Sequence, residues 1–160
     1  MRLHRRRQFV QSSPLRRGLK SLNLEAYLDL ARRTPWEWGT DNGMDCCTYA
    51  ANWVREASGK DVFARYRGLY RSAAQARRLV AKRGGMEKIL GTELTLYGFE
   101  RVEHPDHGDI GIVNLPEARE ADKVFGASAV IRFGSVWVGR TETGIIAFEQ
   151  APVAVWKILK

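Results

Sequence analysis

A chain of 160 residues that is 44% hydrophobic and 28% charged has the size of one globular domain, long enough to bury roughly two-thirds of its unfolded surface without metals or disulfides. Its apolar runs, such as residues 110–113, fall far short of the ~20 residues a bilayer requires, so no membrane span is expected. The net charge of +8 points towards acidic partners or phosphates, so its location matters.

Residues 1–20 carry Arg2, Arg5, Arg6, Arg7, Arg16, Arg17 and Lys20 and no acidic group. Of the 26 basic groups, 19 then remain against 18 acidic ones, and residues 21–160 are close to neutral. The expected organisation is a basic arm over 1–20 and a single domain over 21–160. The arm suits docking on an acidic partner or on phosphates. No apolar stretch of leader type follows it, so a secretory signal is not expected. A second basic stretch holds Arg65, Arg67, Arg71, Arg77, Arg78, Lys82 and Arg83, which read more simply as a solvated helix face. Zinc-finger spacing and aromatic RNA-binding signatures are missing, so nucleic acid is the less favoured partner.

Helical periodicity begins after Asn23, with Leu24, Tyr27, Leu28 and Ala31 on one stripe. Ser21 or Asn23 can cap its start, and Pro35 lies beyond its end. A turn-rich loop over 40–44 follows Trp36 and Trp38. The second helix is expected to open at Asp45, whose side chain can accept from free N–H groups of the first turn. Gly59 supplies its left-handed cap. Ser72 with Gln75 forms a capping-box pattern for a third helix ending at Gly84–Gly85, and residues 86–90 add one more turn. After Gly91, strands are expected over 99–102, 110–113, 128–133, 136–138, 145–148 and 153–159, with a tight hairpin at Gly134–Ser135. Helices first and strands afterwards predict an α+β fold, N-terminal helices packed on an antiparallel sheet.

Chemistry concentrates at Asp45-Cys46-Cys47. A thiol in the first turn of a helix meets unpaired N–H groups and the positive end of the dipole, which favour thiolate. The charge of Asp45 opposes this. Two adjacent cysteines form no disulfide framework and supply too few ligands for a structural zinc, so both also read as small buried residues packing a helix start.

The pattern Trp38-Gly39, Asp45-Cys46-Cys47, Ala50-Ala51, Trp53-Val54, Gly59, Asp61, then Arg67-Gly68, Tyr70, Ser72 and Gly108-Asp109 resembles a group of proteins encoded among the tail genes of tailed bacteriophages and prophages. That group is similar in turn to NlpC-type papain-fold cysteine peptidases, which cut peptidoglycan. The resemblance implies a papain-like fold, Cys46 as candidate nucleophile, and a histidine opening the strand that here begins at Ser128. The polar third partner would fall near Arg140. Serine is no general base near neutral pH, and arginine stays protonated. His107, in the cluster His104-Pro105-Asp106-His107-Gly108-Asp109, is the remaining substitute, although this cluster reads more simply as a turn than as a base or a metal site.

Trp36, Trp38 and Trp53 either line a sugar or peptide groove or close a small core, and the core is favoured. The expectation is therefore a phage tail component of the tail-tip or baseplate region, on a degenerate NlpC-like fold without a working dyad. Arg2, Arg5, Arg6, Arg7, Arg16 and Arg17 would dock it on other tail proteins, and its place would be the virion after assembly in the bacterial cytoplasm. The alternative is a cysteine hydrolase of peptidoglycan peptides using Cys46. Neither reading calls for a cofactor or a metal.

Overall fold

The structure, a computed structural model, describes residues 23–115 and 126–160. Among these, four helices precede five strands: α1 (Leu24–Arg33), α2 (Cys46–Ser58), α3 (Ala73–Arg83), α4 (Met86–Leu96), β1 (Ile110–Asn114), β2 (Ala127–Phe133), β3 (Val136–Thr141), β4 (Gly144–Phe148) and β5 (Ala154–Trp156). The strands form one antiparallel sheet in the order β4-β3-β2-β1-β5. The fold is α+β, as the pattern of elements predicts. The basic arm lies outside the described residues.

Helix boundaries follow local chemistry. Asn23 caps α1 by accepting from the Ala26 N–H at 2.8 Å. Ser72 accepts from the Gln75 N–H to open α3, and Gly59 and Gly84 close α2 and α3 in the left-handed conformation. The last helix corrects the expectation. Residues 86–90 are not a short addition, because α4 runs through Gly91 to Leu96. A Cβ at Gly91 would lie 2.7 Å from the Trp156 ring, so this glycine marks a close approach of helix to sheet, not a helix end. The expected strand over 99–102 is reduced to one bridge, Arg101 to Trp156.

Alternation along the strands separates two faces. Ile110 and Ile112 of β1, Ala127, Ala129 and Ile131 of β2, and Ala154 and Trp156 of β5 join the helices in the main core. Val113, Val130, Trp137 and Val155 pack together on the opposite face. Helix α2 lies on β2 and β3 and is buried nearly all round, including Tyr49, Ala50, Ala51, Trp53 and Val54. Small residues on α2 let the neighbouring layers come close. Tyrosines then stitch the layers: the Tyr27 hydroxyl donates to Tyr49 O, and the Tyr49 hydroxyl donates to Val138 O on β3 at 2.9 Å. Each such buried bond contributes about 1 kcal/mol, and more is lost if one partner is left unpaired.

Candidate functional site

The residues around the start of α2 are built from three segments. The loop after α1 doubles back on itself, with the Met44 N–H donating to Pro35 O at 3.0 Å and Trp36 bridged to Met44. This brings Gly39 over Asp45. The turn segment before α3 arrives from the other side, where the Gly68 N–H donates to Gly39 O at 2.8 Å.

Asp45 joins these segments. One carboxylate oxygen accepts from the Cys47 and Thr48 N–H groups at 2.8 and 2.9 Å, and the Thr48 hydroxyl accepts from the Asp45 N–H at 2.8 Å. The other oxygen accepts from the Gly39 N–H at 2.8 Å and from the Tyr70 hydroxyl at 2.6 Å. The residue has no exposure to solvent. Burial pushes its carboxyl up, against the opposing pull of the Tyr70, Thr48, Gly39 and Cys47 hydrogen bonds.

Cys46 and Cys47 are free thiols, both buried. The Cys47 thiol is pushed well up by its hydrogen bond with Cys46, by burial, and by the charges of Cys46 and Asp45. That is the reverse of what activation of Cys47 as a nucleophile would need. One ligand atom each from Asp45, Cys46 and Cys47 lies within 4.8 Å of the others. The donor set nevertheless fits a cation poorly. Both Asp45 oxygens already accept two N–H or O–H donors each, and a metal would have to displace them.

The remaining sequence candidates lie elsewhere. Ser128 stands on the sheet face shared with Val130, away from α2, and its hydroxyl donates to Ala129 O at 3.2 Å. On the helix-facing side its neighbours in β2 are Ala127 and Ala129, in the same core as both cysteines. Neither can move a proton. Arg140 does face the helices, but its guanidinium donates to Ala31 O at the end of α1 and to Thr141 O at 2.9 Å. His107 is exposed, and its Nδ1 accepts from the Gly134 N–H at 3.0 Å. The adjacent Gly108 O accepts from Trp53 Nε1 at 2.8 Å, and Trp53 stands two turns beyond Cys46, ~10 Å along the helix axis. The cluster around His107 serves as a turn, with Asp109 accepting from the Asp106 N–H at 2.7 Å and from the Ile158 N–H at 3.3 Å.

Comparison with known families gives one match, over residues 19–158, to a domain of unknown function, DUF6950. The chain belongs to the DUF6950 family. No curated protein and no solved structure matches it. The family match spans the whole of the Asp45 centre. Within that centre, Tyr70 and Gly39 were not legible as partners of Asp45. Thr48 was, in principle, because an N-cap aspartate with threonine three residues on is a reciprocal capping pattern.

Proposed function

We propose that this DUF6950 chain is a non-catalytic assembly component of a bacteriophage tail, from the tail-tip or baseplate region, on a papain-like scaffold of NlpC type that has lost its dyad. The observation that carries the loss is local. The helix-facing residues at the start of β2 are Ala127 and Ala129, in the same core as Cys46, and among the described residues the carboxylate beside the thiols, that of Asp45, is already met by four donors. A thiol without a proton acceptor is a weak nucleophile. The order of elements also supports the reading, with Asp45-Cys46 opening the central helix and Gly108-Asp109 leading into β1 of an antiparallel sheet. The tail assignment rests on the resemblance of the Asp45-Cys46 and Arg67-Gly68 motifs to tail-encoded proteins.

In this reading Arg2, Arg5, Arg6, Arg7, Arg16 and Arg17 dock the chain on a neighbouring tail protein through charge complementarity. Two measurements test it. Deleting residues 1–20 should abolish incorporation into phage particles while leaving the purified domain folded, and full incorporation of the deletion would remove the docking role. Iodoacetamide at pH 7 should leave Cys46 unmodified in the native protein and modify it after unfolding. Rapid native labelling, with cell-wall digestion that disappears in Cys46→Ser, would instead establish the cysteine hydrolase.

A further inference from the structure

A cleft of about 750 Å³ opens beside the Asp45 centre, between the 36–42 loop and the 67–71 segment, and its lining includes neither cysteine. Its volume is within the range of small-ligand sites. The two walls are fixed to one another through Asp45 and through the Gly68–Gly39 hydrogen bond, so the cleft is formed before any ligand arrives.

Its surface combines indole and hydrogen-bonding groups. Trp36 and Trp38 meet edge to face, ring centroids 5.1 Å apart at 86°, and both are half-buried. The Trp36 indole N–H is enclosed without a hydrogen-bond acceptor. Arg67 is already spent, donating across to Asp41 on the opposite wall and to Asp61 and Asn52. Asn42 and Arg71 are exposed, and their side chains make no hydrogen bond or ion pair with the described residues. The charges in the lining cancel, Glu37 and Asp41 against Arg67 and Arg71.

That balance decides what fits. An anion would meet Glu37 and Asp41, a cation would meet the two arginines, and an apolar molecule would strip water from polar groups without replacing their hydrogen bonds. A ring with C–H faces for an indole and hydroxyls that both donate and accept satisfies every part of the surface. We propose that this cleft binds a neutral saccharide, stacked on the Trp36–Trp38 pair and hydrogen-bonded by Asp41, Asn42 and Arg71. The inference does not depend on the tail assignment or on the state of the thiols.

The test uses the full chain with three neutral probes, maltotriose, cellotriose and triacetylchitotriose, and triglutamate as the anionic comparison. At least one trisaccharide should shift the Trp36 and Trp38 indole N–H resonances, with saturable binding at millimolar concentration or below. Asn42→Ala and Arg71→Ala, both at exposed positions, should each weaken that binding about tenfold, and Trp38→Ala should abolish it. Retained thermal unfolding of the two exposed variants separates lost binding from lost fold. The proposal is overturned if no trisaccharide moves the two indoles, if Asn42→Ala and Arg71→Ala leave the affinity unchanged, or if triglutamate binds more tightly than every sugar.

Discussion

The phenol of Tyr70 donates a 2.6 Å hydrogen bond to the carboxylate that caps the cysteine helix, that of Asp45. The pair joins the segment before α3 to the first turn of α2, and the same oxygen also holds the Gly39 N–H. A residue type that elsewhere only starts a helix here organises three pieces of chain. This use of Asp45 explains why burial is tolerated at all. A carboxylate moved out of water costs several kcal/mol unless its lone pairs are met, and here they are.

Removing the phenol oxygen should therefore be costly. Tyr70→Phe is expected to lose about 1.5–3 kcal/mol, the range for a hydrogen bond to a charged group. Asp45→Ala should lose at least about 3 kcal/mol, since it removes the cap and strands the Gly39 and Tyr70 donors in the interior. Urea denaturation midpoints check both. A loss below 1 kcal/mol (roughly the neutral-bond value) for Asp45→Ala would show that the centre is not what holds the segments together.

Gly39 has a φ of +66°, and a Cβ there would stand 2.3 Å from Tyr70 O. Gly39→Ala thus combines left-handed strain with a clash against backbone that is itself fixed. The expected cost is more than about 2 kcal/mol, read from thermal and urea unfolding. It should also deform the saccharide cleft, whose wall Gly39 forms.

Acid should weaken the protein partly through Asp61. Partial burial pushes its carboxyl up, but the Arg67 hydrogen bond and charge, the Phe63 N–H and Arg55 outweigh this and hold it below the ordinary value. A depressed folded carboxyl stabilises above its unfolded value, about 3.9, and that stabilisation is lost as pH falls through the folded value. Urea midpoints at pH 6 and pH 3 should differ less in Asp61→Asn than in the parent protein. Asp45 and Asp109, pushed up by burial, act with opposite sign, and they cancel in this comparison because both are present in each protein. An equal acid loss in the two proteins would remove Asp61 from the account.

Ser128→Ala should change stability by no more than about 1 kcal/mol and leave the reactivity of Cys46 untouched. Its hydroxyl reaches only the next carbonyl and lies across the sheet from α2. Ellman titration of native Ser128→Ala against the parent measures this, and a changed rate would bring Ser128 back towards the thiol.

The legible parts of the fold were those with local signals. Asn23, Asp45 and Ser72 act on N–H groups within three residues of themselves, and Gly59 and Gly84 stop helices by their own backbone conformation. Gly91 misled because a glycine in a helix pattern reads as a stop, while its actual cause is a ring from β5, far along the chain. Residues 99–102 misled because their apolar character serves the core around Phe99 more than a ladder, and only Arg101 pairs. At the site, Asp45 and the two cysteines were visible as a helix start. The side of the sheet taken by Ser128 was not, since one residue of register reverses every side chain in a strand.

Sequence by itself determined where α1, α2 and α3 begin and where α2 and α3 end, the succession of helices then strands, and the placement of two thiols in the first turn behind a capping acid. Those features are set by hydrogen bonds and steric preferences within a few residues. Tertiary structure alone decided that Tyr70 and Gly39 converge on Asp45, that Ser128 points away from the helix face of the sheet, that His107 accepts from the Gly134 N–H, and that two tryptophans and two arginines frame one cleft. Each of those depends on closing a loop whose ends carry no mark of one another, and only the packing of the complete domain selects which ends meet.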